Sequence, residues 1–129
     1  MKIGDLIQSG DFKGEKHVPV IEAPEKVKAG ELFFAKVSVG KEIPHPNKQE
    51  HHIAWIQLFF KPNDSKFVVE VAKFDYAAHA DSMTETPGPA VAEPASCVSM
   101  KLAKSGTLIA QSYCNIHGLW ETSWEIAVE

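Results

Sequence analysis

Three short stretches of the chain concentrate side chains able to hold a metal ion. They are Glu15-Lys16-His17-Val18-Pro19, the run from His45-Pro46-Asn47 through Glu50-His51-His52-Ile53, and Cys114-Asn115-Ile116-His117-Gly118-Leu119-Trp120. Imidazole and thiolate together suit borderline metals. Each stretch alone is a weak signal, because a solitary surface histidine is usually solvated and Cys-x-x-His arises often by chance. Cys114 and His117 stand three apart across a turn, near enough to reach one ion. Pro44 and Pro46 stiffen the chain around His45. His51 is expected to open a strand, where alternation sends it to the face opposite His52, so only one of that pair can join the others. A fold that gathers the three stretches brings up to four imidazoles and one thiolate to one place.

The elements that must do this gathering read as short strands. Residues 31–39, 51–60, 66–76, 96–103, 107–113 and 119–128 are rich in branched and aromatic residues and are mostly bounded by turn formers, and 17–21 forms a further extended piece before Pro24. Residues 3–9 suit a turn or two of helix stopped at Gly10. Lys104-Ser105-Gly106 reads as a hairpin connection. Residues 77–94, with three prolines, read as a long loop. Six or seven strands with little helix predict an all-β, antiparallel β-sandwich. The 129 residues are expected to form one domain, 1–129.

Composition narrows the function. Thirteen basic residues, all lysine, face 17 acidic ones for a net charge of −4, and without arginine the chain lacks the usual guanine-reading fork; no nucleic-acid partner is expected. No apolar run has the length of a membrane span and no secretory signal is visible, so a cytoplasmic protein without a membrane partner is expected. Two cysteines are too few for a disulfide framework.

The three stretches, in order and in register from about Asp11 to the C-terminus, closely resemble superoxide reductase, specifically the one-domain neelaredoxin type of the desulfoferrodoxin family. The resemblance implies an immunoglobulin-like sandwich of about seven strands carrying one iron that cycles between Fe2+ and Fe3+. It implies His17, His45, His51 and His117 as equatorial ligands, Cys114 as the axial thiolate, and Glu15 as a sixth ligand in the oxidised state. Glu15 and Lys16 are the implied catalytic pair, the carboxylate gating the open position and the ammonium standing over it. Superoxide is then the substrate, hydrogen peroxide the product, and rubredoxin or a similar protein the electron donor; a homotetramer is also implied. The chemistry is consistent: five protein ligands are too many for zinc, and ferrous iron with one thiolate keeps a single positive charge that, with Lys16, attracts an anion.

Competing assignments are a mononuclear electron carrier of blue-copper type and a zinc hydrolase with Glu15 or Glu50 as base. The first needs a methionine shortly after the cysteine, whereas Met1, Met83 and Met100 all precede Cys114. The second leaves a histidine and Lys16 unused. The remaining residues read as structural: Cys97 as a core thiol, His52 and His79 as surface or hydrogen-bonded, Trp55 and Trp124 as packing, and Trp120 as packing that also forms a wall of the site. Asn47 suits either a ligand hydrogen bond or a turn cap.

Overall fold

The computed structural model describes residues 1–10, 17–80 and 85–129. Alternating burial builds its sheets. Along Gly106–Cys114 every second residue is buried, so Leu108, Ala110, Ser112 and Cys114 all face the interior. Phe33–Ser38 follows the same rule with Phe33, Ala35 and Val37 inward.

After a 3-10 turn, Ile3–Asp5, the described residues form β1 (Val20–Glu22), β2 (Lys26–Val27), β3 (Phe33–Ser38), β4 (Ile53–Pro62), β5 (Val69–Asp75), β6 (Ala95–Met100), β7 (Gly106–Cys114) and β8 (Gly118–Val128). They make two sheets, one of order β1-β3-β6 and one of order β2-β8-β7-β4-β5. Ile21, Val37 and Met100 from the first sheet and Ile56, Leu58, Leu108 and Ile126 from the second belong to one buried core. The sandwich expected from the sequence is therefore present.

Several local expectations are corrected. The helical turn spans three residues rather than seven, and Gln8 instead pairs along β8, its N–H donating to the carbonyl of Leu119 at 3.0 Å while its carbonyl accepts from Glu121 N–H at 2.8 Å. One pair, β2 with β8, is parallel. Lys104-Ser105-Gly106 is no hairpin turn, because β6 pairs with β3 and β7 with β4 and β8; the connection carries the chain between the sheets. Cys97 is exposed rather than buried. It pairs with exposed Lys36, and partners in a ladder share a face, so the inward positions on β3 exclude it.

Strand β4 carries two register shifts, one between Ile53 and Trp55 and one between Leu58 and Phe59. The first lets Ile53 and Ile56, three residues apart, both reach the core. It also sets Ile53 opposite Cys114, so the start of β4 and the end of β7 close the same end of the sandwich.

Candidate metal centre

That end of the sandwich gathers the predicted ligands. Cys114 is the last residue of β7 and is fully buried. A three-residue turn joins it to β8, closed by Gly118 at φ +82°, a value that favours glycine. The turn folds His117 back so that its backbone N–H donates to Cys114 Sγ at 3.3 Å and its Nδ1 lies 3.9 Å from the same sulfur.

His17 arrives from the other side. It is fully buried just before β1, and Ser112 Oγ donates to its carbonyl at 3.0 Å. Its ring stacks on Trp120 with centroids 4.6 Å apart and planes 18° apart, so Trp120 is the wall that its position suggests. Trp120 Nε1 donates in turn to the His117 carbonyl at 3.2 Å.

His45 and His51 both lie in the connection between β3 and β4. His51 precedes β4 by two residues instead of opening it, so strand alternation does not explain the split between His51 and His52. The split itself holds. His52 turns away, its Nδ1 donating to the Lys48 carbonyl at 2.9 Å and its ring stacked on His79 at 3.6 Å. Burial, and then the neighbouring His52, holds His79 below the ordinary histidine range. His45 Nδ1 donates to the Pro46 carbonyl at 2.7 Å, which fixes the tautomer that carries its lone pair on Nε2.

One ligand atom from each of His17, His45, His51 and Cys114 lies within 4.8 Å of all the others. His117 adds Nδ1 at 3.0 Å from His17 Nε2. Ring centroids run His17–His45 4.7 Å, His45–His51 4.7 Å, His51–His117 5.1 Å and His117–His17 4.8 Å, a closed circuit of nearly equal sides. The His17–His51 diagonal is 6.4 Å, close to what a square of those sides requires. Successive rings stand 76°, 82°, 67° and 85° to one another. Four imidazoles thus form a closed ring of nearly equal sides, and the buried Cys114 sulfur lies within 4.8 Å of a nitrogen from each of His17, His45 and His51 and 3.9 Å from His117 Nδ1. Glu15 and Lys16, the other two predicted site residues, lie outside the described residues.

Asn115 is a supporting residue that sequence reasoning misses. Its Oδ1 accepts the His52 N–H at 2.8 Å, its Nδ2 donates to the Glu50 carbonyl at 3.0 Å, and its own N–H donates to the His52 carbonyl at 3.2 Å. It ties the histidine loop to the cysteine turn. Its place beside Cys114 was the one available signal.

The chain as a whole is similar to known proteins. A family model described as desulfoferrodoxin matches residues 9–123. A superoxide reductase of Pyrococcus abyssi is 51% identical over 122 residues, covering 95% of this chain and 96% of its own. Neelaredoxin of Megalodesulfovibrio gigas is 45% identical over 130 residues, with 100% of each chain covered. The crystal structure of a candidate superoxide reductase from Thermotoga maritima superposes with a TM-score of 0.93 at 55% identity, covering 100% of this chain and 98% of that one.

Proposed function

The chain belongs to the desulfoferrodoxin family, among one-domain superoxide reductases of neelaredoxin type, and from that premise we propose that it reduces superoxide to hydrogen peroxide at a single iron. The observation that carries this reading is the closed circuit of four imidazoles with the Cys114 sulfur within reach of all of them. Such a set presents five donors. That exceeds the four zinc ordinarily takes, and mixed nitrogen and sulfur ligation suits iron.

His17, His45, His51, His117 and Cys114 would hold the metal. When bound, iron would supply the one-electron couple, and Cys114 would be its electron-rich donor. Superoxide takes up one electron and two protons to leave as hydrogen peroxide. The Cys114 side is closed by the core, so the substrate's approach falls to the opposite, solvent side. In this reading Lys16 would draw in the anion and supply a proton directly or through water, and Glu15 would be a further metal ligand in the oxidised state. His45 keeps its donor nitrogen directed inward through the Pro46 carbonyl, and Trp120 fixes the plane of the His17 ring.

Rubredoxin or a similar small redox protein returns the electron in this reading. The working form is a cytoplasmic homotetramer of a single domain, 1–129, without membrane or nucleic-acid partners. Among the described residues no helix is long and apolar enough to cross a membrane.

The test is to mix reduced protein rapidly with superoxide and to score peroxide against oxygen. One peroxide per superoxide without oxygen is expected; formation of both products identifies a dismutase instead. The purified protein should contain one iron per chain and show a visible band that bleaches on reduction. Cys114→Ser should abolish that band in a folded protein. Colourless protein with zinc would overturn the proposal.

A further inference from the structure

Residues 77–94 carry none of the proposed ligands, yet part of this segment lies against the loop that carries two. The hub is Asn47, two residues after His45 and four before His51. Its carbonyl accepts from Ala80 N–H at 2.7 Å, its Nδ2 donates to the Ala92 carbonyl at 3.0 Å, and its Oδ1 accepts from His79 Nδ1 at 3.3 Å. The His79 ring covers His52 at 3.6 Å with planes 16° apart. The segment is also fastened to itself and to the sheet. Ala92 N–H donates to the Ala78 carbonyl at 2.6 Å, and Val39 N–H, just past β3, donates to the Pro94 carbonyl at 2.9 Å.

The need for such support follows from where the donors sit. Cys114 is fixed by a strand ladder, His117 by a tight turn, and His17 by the bond to Ser112. His45 and His51 stand in an irregular stretch between β3 and β4, whose internal main-chain bonds are Lys48 N–H to His51 carbonyl at 2.9 Å and the reverse at 3.2 Å. Ordering such a stretch costs roughly 1–2 kcal/mol per residue of backbone entropy, and a functional site tolerates displacement of only about 0.5 Å. The His52–His79 pair is no second metal site, because parallel stacked rings direct their in-plane lone pairs side by side rather than toward one ion.

We propose that residues 77–80 and 92–94 form a strap that sets the His45–His51 loop in its ligand geometry before any metal arrives, with Asn47 and His79 as positioning residues. The proposal rests on reading His45 and His51 as ligands. It assigns the strap's hydrogen bonds, rather than metal binding, the task of ordering the loop.

Two measurements on the full chain test it. Amide hydrogen exchange over residues 45–52 is followed in the metal-free protein, and loss of iron(II) to a chelator is followed in the loaded protein. Metal-free wild type should protect the Lys48 and His51 amides. Asn47→Ala and His79→Ala should each lose that protection and release iron about tenfold faster. His79→Phe, which keeps the stack and removes the hydrogen bond, should fall between. Free exchange over 45–52 in metal-free wild type overturns the proposal, as do variants that match wild type in both measurements. Should Asn47→Ala fail to fold, His79→Ala decides alone. Wild type that takes up no iron would refute the iron assignment, while the exchange data would still judge the strap.

Discussion

Gly40 offers a direct way to perturb the site from a residue that donates nothing to it. The chain turns there at φ +86°, and a Cβ added to it would lie 2.7 Å from the backbone nitrogen of His45 and 3.1 Å from Pro44 Cα. Gly30 is the internal control: its φ is +74°, but an added Cβ meets nothing within 4 Å. Left-handed backbone costs an alanine about 1–2 kcal/mol at either position. At Gly40 the contact adds an overpacking cost of about 1–3 kcal/mol. Relieving it to ordinary separations moves the His45 backbone by on the order of 0.5–1 Å. That shift matches or exceeds the tolerance of a ligand set. Gly40→Ala is therefore expected to lose roughly 2–5 kcal/mol in denaturant unfolding and to release iron at least about tenfold faster. Gly30→Ala should lose about 1–2 kcal/mol and hold its metal as wild type does. Equal stability losses and equal metal release in the two variants would refute the reasoning.

Three further expectations concern other parts of the chain. Asn115→Ala removes two side-chain hydrogen bonds between the ligand loop and the cysteine turn and should cost about 1–2 kcal/mol, with faster iron loss to a chelator. Tyr76, half-buried and bonded to Ser96 Oγ at 2.8 Å, has its phenol raised above the usual range by burial, with the Ser96 bond acting in the opposite direction. The folded form thus keeps its proton to higher pH than the unfolded form, so stability should be full below about pH 10 and fall as pH rises beyond it; Tyr76→Phe should flatten that fall in alkaline denaturation curves. Lys16→Ala should slow the encounter with superoxide and weaken its dependence on ionic strength, and unchanged values of both would remove its electrostatic role.

Much of the fold is legible from residue types. The alternation in β3 and β7 follows from their apolar spacing, and the long strands lie close to where branched and aromatic residues concentrate. Pairing is less legible. Lys104-Ser105-Gly106 has the composition of a hairpin turn, yet its flanking strands are claimed by different sheets. Cys97 has the character of a core residue, and only its register against Lys36 turns it outward. The parallel β2–β8 pair is two residues long, too short to leave a pattern.

The candidate donors are legible in the chain, because the histidines and the cysteine fall in three short stretches whose order and spacing match a known family. His17 and His117 are a hundred residues apart, however, and only folding brings their nitrogens within 3.0 Å. The same holds for the circuit of rings, the Trp120 stack and the bonds of Asn115 and Asn47, which reach across dozens of residues. Local composition specifies which atoms can bind. Their angles and spacing depend on how two sheets and three loops close one end of the sandwich, and no stretch of neighbouring residues carries that information.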